Sequence, residues 1–266
     1  MRTTRIVLLT AACGLLAWPL RADKKLDDAV AKAEEQILKG RVDDAAKTIQ
    51  KMLQPPTAEA AVAAARLQVR MGKVEEAFAT ATAGVQAAGA APEAKAAALA
   101  SLSSVDLLRG SGADALKHAQ EAVAASPTPG ALAALARAQV RTGDAAGATA
   151  NADKAVAAGS NGDTLEAQGQ ALLANGKAAE AQAAFGKALA ADPKLTAARI
   201  GASRALLAQN KAVEAVAEAK KAVEENTNDA EAQAALGLAL LAQGNWNEAI
   251  AAAQEGKFKN ERSVMV

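Results

Sequence analysis

The sequence contains no tyrosine, only 3 Phe and 2 Trp, one cysteine and one histidine. Each shortage excludes a class of protein. Aromatic residues make up 2% of the chain, too few large rings to fill a β-sandwich or a deep globular core. A lone Cys13 leaves no disulfide framework and no cysteine-based metal site. The lone His118 has no second imidazole or thiol with which to share a metal, and its place in mid-helix reads as a solvated surface position. Neither sign of charge dominates: 30 basic and 29 acidic residues give a net charge of +1. Long blocks of like charge are absent, so a nucleic-acid partner is not expected.

What is abundant is alanine, within an apolar content of 51%. Alanine is the strongest helix former because its side chain has no rotamer entropy to lose. Such a composition builds thin helices packed closely through small side chains. The N-terminus differs from the rest. Arg2 and Arg5 precede the apolar run Ile6 to Leu20, and Pro19-Leu20-Arg21-Ala22 offers a cleavage site before Asp23, the pattern of a secretion signal over residues 1–22. The run is short for a membrane span. Two alternatives stay open: a retained anchor, or a lipoprotein-like signal with lipid on Cys13 after Thr10, Ala11 and Ala12. Removing residues 1–22 takes three arginines and no acid, changing 30 basic and 29 acidic residues to 27 and 29, a net charge of −2. A periplasmic or secreted location is the expectation, with a membrane involved only if the N-terminal segment is retained or lipidated.

From residue 23 onward the chain repeats itself. A short phrase centred on Gly or Asn recurs at Gly40, Gly72, Gly110, Gly143, Gly176, Asn210 and Gly244. These residues tolerate the left-handed backbone that closes a helix. Five residues after each stands alanine, from Ala45 to Ala249 without exception, and the residue before that alanine is acidic except at Gly147. An acid there complements the dipole of a starting helix. Seven residues before each turn the side chain is again small: Ala33, Ala65, Ser103, Ala136, Gly169, Ser203 and Gly237. Two antiparallel helices pressed together at these small residues satisfy every feature. Pro127 and Pro193 close two of the second helices. The one long interval, around Gly89 to Pro92, is the expected site of a flexible joint.

This pattern resembles the tetratricopeptide repeat family, whose unit is a helix pair of about 34 residues. The fifth copy carries the motif positions Leu165, Gly169, Gly176, Ala181, Phe185, Ala188, Leu189 and Pro193, and the seventh carries Leu236, Gly237, Leu240, Gly244, Trp246 and Ala249. The other copies hold alanine where the family has an aromatic residue, as at Ala81 and Ala119. The resemblance implies an all-α protein, a right-handed α-solenoid of about seven repeats over residues 23–258. A tail over 259–266 follows, and Phe258 before it together with Val264, Met265 and Val266 is expected to fold back over the end of the stack or to dock a partner.

No constellation for catalysis emerges, and no cofactor or small-molecule substrate is expected. The stretch from Gly110 to Ala115 fits a loose dinucleotide-binding pattern, but that pattern requires a preceding strand, and the residues before it read as helix. Gly176-Lys177 lacks the earlier glycine of a phosphate loop, Ala171 standing in its place.

In the family the first helices of the pairs line a concave face. The positions six and two before each turn lie on one side of such a helix. They bring Arg66 with Arg70, Arg137 with Arg141, and Arg204 over a floor of aliphatic residues such as Val69, Leu107 and Val140. Arginine grips carboxylates with a planar two-donor fork, so these five residues are the candidate contacts to an acidic protein or peptide partner. The chain reads as an extracytoplasmic interaction scaffold for envelope, pilus or secretion assembly. The alternative is an architectural subunit that associates with itself.

Overall fold

A computed structural model describes residues 24–265 apart from Ala90, Thr227 and Asn228, with side chains as far as Lys257. The expected signal segment and Cys13 lie outside the described residues. Among those described, every regular element is a helix. Seven hairpins follow one another: α1 (Lys24–Leu38) with α2 (Val42–Met52), α3 (Ala58–Arg70) with α4 (Val74–Ala87), α5 (Pro92–Leu108) with α6 (Gly112–Ala125), and α7 (Pro129–Thr142) with α8 (Ala145–Ala158). They continue as α9 (Gly162–Ala174) with α10 (Ala178–Ala191), α11 (Thr196–Ala208) with α12 (Ala212–Glu225), and α13 (Ala230–Gln243) with α14 (Trp246–Met265).

The turn residues behave as their chemistry requires. Gly40, Gly72, Gly110, Gly143, Gly176 and Gly244 all have positive φ, and Asn210 joins them at 61°. After each, the next backbone N–H reaches back to the carbonyl five residues earlier, as Lys73 does to Gln68 and Lys211 to Leu206, both at 2.9 Å. This closes the otherwise unpaired carbonyls of the helix end. The small residues meet as expected: Ala33, Ala45, Ala65, Ala77, Ala136 and Ala148 are wholly buried. Where serine replaces alanine, its hydroxyl donates across the hairpin to the facing alanine's carbonyl, Ser103 to Ala115 at 2.8 Å and Ser203 to Ala215 at 2.9 Å.

Gly147 breaks the acidic pattern for a local reason. Asp144 carries the acid three residues earlier, at the N-cap of α8, where it accepts from the Gly147 N–H at 2.9 Å and from Gln139 Nε2 at 2.7 Å. A Cβ on Gly147 would stand 2.1 Å from Asp144 Oδ2. The acid has moved, and the side chain it displaces has gone.

The long interval between turns is taken up in helix: α4 ends at Ala87, α5 starts at Pro92, and the extra residues lengthen α5 to 17 residues against 13 in α3, α9 and α11. Pro92 stands at the start of α5, where its missing N–H costs nothing. The expected C-terminal tail needs correction. At the other end, α14 runs on to Met265 as one 20-residue helix, so the segment 259–265 continues the array's last helix. The fold-back expected of its side chains lies outside the described residues.

Each odd-numbered helix touches the next odd-numbered one from α1 to α13, whereas no even-numbered helix touches the next even-numbered one among the described residues. A stack that is close on one side and splayed on the other is curved. The odd helices therefore line its inner face.

Candidate protein-binding face

Four of the five candidate arginines are held by acids of a neighbouring hairpin. Arg137 is the most engaged, with its side chain 15% exposed. Its Nε donates to Glu166 at 2.8 Å and its Nη2 donates to the Asp163 carbonyl at 2.9 Å and to the Asp163 carboxylate. Burial acts against the charged guanidinium, but the charges of Asp163 and Glu166 outweigh it and raise its pKa. Glu166 is 1% exposed. Burial pushes its carboxyl up, and Arg137 opposes this without cancelling it. Arg70 pairs with Glu34 at 3.2 Å, Arg66 with the same Glu34 at 3.6 Å, and Arg204 with Glu231 at 2.8 Å. These pairs clamp successive inner helices together: α1 to α3, α7 to α9, α11 to α13.

Arg141 is different. It is exposed and has no ion-pair partner among the described residues. Arg66 is also largely open to solvent, 65% exposed, and shares an acid that Arg70 holds more closely. The row two residues before the turns is more telling than the arginines alone. Along the first four hairpins it runs Leu38, Arg70, Leu108, Arg141, and along the last three it is alanine: Ala174, Ala208, Ala242. Leu38 and Leu108 are 58% and 49% exposed. Along this row the inner face thus has a decorated half, apolar and cationic in alternation, and a plain half. Between the rows, Val69, Leu107 and Val140 are half-buried and form the aliphatic floor.

His118 is not a free surface residue. Its Nδ1 lies 2.7 Å from Oδ2 of Asp106, which is 1% exposed. The same two positions carry Thr48 donating to Gln36 and Asn151 donating to Gln139, each at 2.8 Å. These are polar ties within a hairpin, twelve residues apart, and the spacing was visible in the sequence once the hairpin geometry was known. Arg109 extends the third hairpin toward the second, with Nε 3.0 Å from Glu75 and its guanidinium 3.9 Å from the Phe78 ring centroid.

Two grooves lie between successive hairpins. The larger, about 510 Å³, is lined by Leu189, Arg199, Leu206, Lys211 and Glu218, but Arg199 already holds Glu218 at 3.2 Å and also Glu225. The smaller, about 210 Å³, lies between α2 and the second hairpin beside Ile49, Leu53, Gln68 and Met71. Among the described residues no three His, Cys, Asp or Glu side chains are grouped to hold a metal, and no helix is long and apolar enough to cross a membrane.

Residues 172–239 match the family model of the tetratricopeptide repeat, from the inner helix of the fifth hairpin to that of the seventh. A tetratricopeptide repeat protein from Parabacteroides merdae has the same architecture, 16% identical with a TM-score of 0.54 over 89% of this chain and 93% of its own. A thermophilic TPR protein of Thermus thermophilus is 19% identical, TM-score 0.54, over 63% of this chain and 98% of its own. A chain of the APC/C Cut9–Hcn1 hetero-tetramer aligns over 90% of this chain and 48% of its own length, 16% identical with a TM-score of 0.59. No curated protein matches the sequence. Residues 172–239 thus carry the tetratricopeptide repeat in sequence, and the described residues share the fold of these solved repeat proteins.

Proposed function

We propose that this chain is an extracytoplasmic scaffold that holds an extended protein segment along the inner face of its first four hairpins. The observation that carries this is the exposed row Leu38, Leu108 and Arg141, with Arg66 beside it. Aliphatic side chains held in water next to an unpaired cation gain by contact with a ligand that is apolar and acidic in alternation. Burying the exposed half of each leucine contributes about 0.8–1.5 kcal/mol, and Arg141 adds a charge-assisted contact without first breaking a clamp. The extracytoplasmic setting rests on the arginine-flanked apolar run of residues 1–22. Assembly of envelope, pilus or secretion machinery is the setting such a scaffold would serve.

Two measurements test this reading. Binding of fluorescent peptides that alternate leucine and glutamate, measured across a salt series, should weaken in Arg66→Ala/Arg141→Ala with a shallower salt dependence, and should weaken in Leu38→Asp/Leu108→Asp. Equal affinity and equal salt slope in all three proteins would sink the inner-face assignment. Fusion of residues 1–30 to a reporter active only outside the cytoplasm should give signal, and a silent fusion removes the extracytoplasmic part.

A further inference from the structure

The repeat defines a second surface besides the inner face. Each hairpin presents three positions to its successor: three before the turn, two after it and six after it. In the second hairpin these are Val69, Val74 and Phe78, and they pack against the apolar cluster to which α5 brings Leu102 and Val105. In the third hairpin Leu107 and Leu116 pack in the same way against Ala134, Leu135 and Ala138 of α7. The seventh hairpin carries Leu241, Trp246 and Ile250 at these positions, the largest such set in the chain. Among the described residues nothing covers them: they are 43%, 65% and 57% exposed. Leu238, one turn earlier on α13, is exposed as well, so four of the chain's large exposed apolar side chains cluster at this end.

The geometry points to the occupant. We propose that the face formed by α13 and α14 docks an α-helix of a partner protein bearing a stripe of small and aliphatic residues at i, i+4 and i+7. That stripe is what most such faces inside the array receive from the successor: Ala98, Leu102 and Val105 on α5, or Ala232, Leu236 and Ala239 on α13, with α9 the exception in carrying Thr164 and Gln168. Alanine lets the backbone come close, and the larger residues fill the notch between the two helices of the hairpin. Among the described residues a second copy of this chain has no such helix free. Its own stripes are buried in its own stack. At the corresponding positions α1 carries Asp28, Lys32 and Glu35, all exposed. Stacking α1 on the open face would take those charges out of water against leucine and tryptophan, at a cost of several kcal/mol. None of the described helices of a second copy fits, so the helix expected on this face comes from a different protein.

Trp246 reports on the face directly. The probe is a synthetic peptide of residues 92–109, which contains the α5 stripe, titrated into the full-length protein. The expected result is a saturable blue shift of tryptophan emission, absent in Trp246→Phe. Ile250→Asp should weaken the binding by about tenfold or more, as should aspartate at peptide positions 102 and 105. Arg141→Ala, on the inner face, should leave it unchanged, which separates this surface from the peptide groove. No shift up to millimolar peptide would overturn the proposal. So would equilibrium sedimentation showing that the protein alone dimerises with Trp246 already buried, because the occupant would then be a second copy.

Discussion

Phe185 offers the sharpest quantitative test of the packing. Its ring is fully buried and wedged between two glycines, Gly169 on its own hairpin's inner helix and Gly201 on the next. A Cβ built on Gly201 would stand 2.3 Å from two ring carbons, and one on Gly169 would stand 2.6 Å from the ring. The ring cannot retreat from one without striking the other. Gly201→Ala should gain about 1 kcal/mol from helix propensity and lose about 1–3 kcal/mol to overpacking, so the net effect is destabilising or near zero. Phe185→Ala should cost about 3–5 kcal/mol, since it empties a closed site. In that background the same Gly201→Ala meets open space. It then keeps its propensity gain and buries one further methyl, worth about 0.8 kcal/mol. The coupling between the two substitutions is then about 2–4 kcal/mol, far above the ~0.5 kcal/mol within which independent sites add. Gly186→Ala, on an exposed helical position where a Cβ meets nothing within 4 Å, is the control and should stabilise by about 0.5–1 kcal/mol in both backgrounds. Urea unfolding followed by helical circular dichroism, fitted with a nearest-neighbour repeat description, measures all the terms. A coupling below about 0.5 kcal/mol would refute the wedge.

Other consequences follow from the same reasoning. Arg137→Ala strands the buried carboxylate of Glu166 and should cost about 3–5 kcal/mol, whereas Arg141→Ala should change stability by no more than about 0.5 kcal/mol; similar melts for the two would show the clamp to be misassigned. Gly147→Ala must displace the Asp144 cap, worth about 1 kcal/mol, and should cancel its own propensity gain, yet stabilise in an Asp144→Ala background; thermal melts that shift equally in both backgrounds would contradict this. Burial raises the Glu166 pKa above its ordinary value of 4.5. The folded state therefore keeps this proton longer than the unfolded one, and its contribution to stability is lost as pH climbs from 4.5 through the raised value. Glu166→Gln lacks that slope, so its stability relative to the parent should rise across the same window and level off above it. Urea midpoints over a pH series check the sign, and a flat or falling difference would rule it out.

How much of this was readable along the chain depends on the range of each interaction. The turn at Gly72 or Asn210 is a local matter: left-handed backbone is needed within one residue, and only glycine or asparagine accepts it at low cost. The burial of Ala45 against Ala33 is nearly as local, because both belong to one hairpin and recur at fixed spacing. The seven hairpins were thus set by composition and period alone, as was the face of each inner helix. The state of the arginines was not. Arg70 meets Glu34, Arg137 meets Asp163 and Glu166, and Arg204 meets Glu231 across intervals of 26 to 36 residues. Only stacking decides whether those side chains come within reach. An ion pair or hydrogen bond forms only when its groups come within a few ångströms, so a spacing that places two arginines on one face says nothing about which acid the next hairpin brings to them. The tertiary structure decided that four arginines fasten the array, that Arg141 stands exposed on the inner face without an ion-pair partner among the described residues, and that Leu241, Trp246 and Ile250 stand uncovered at its end.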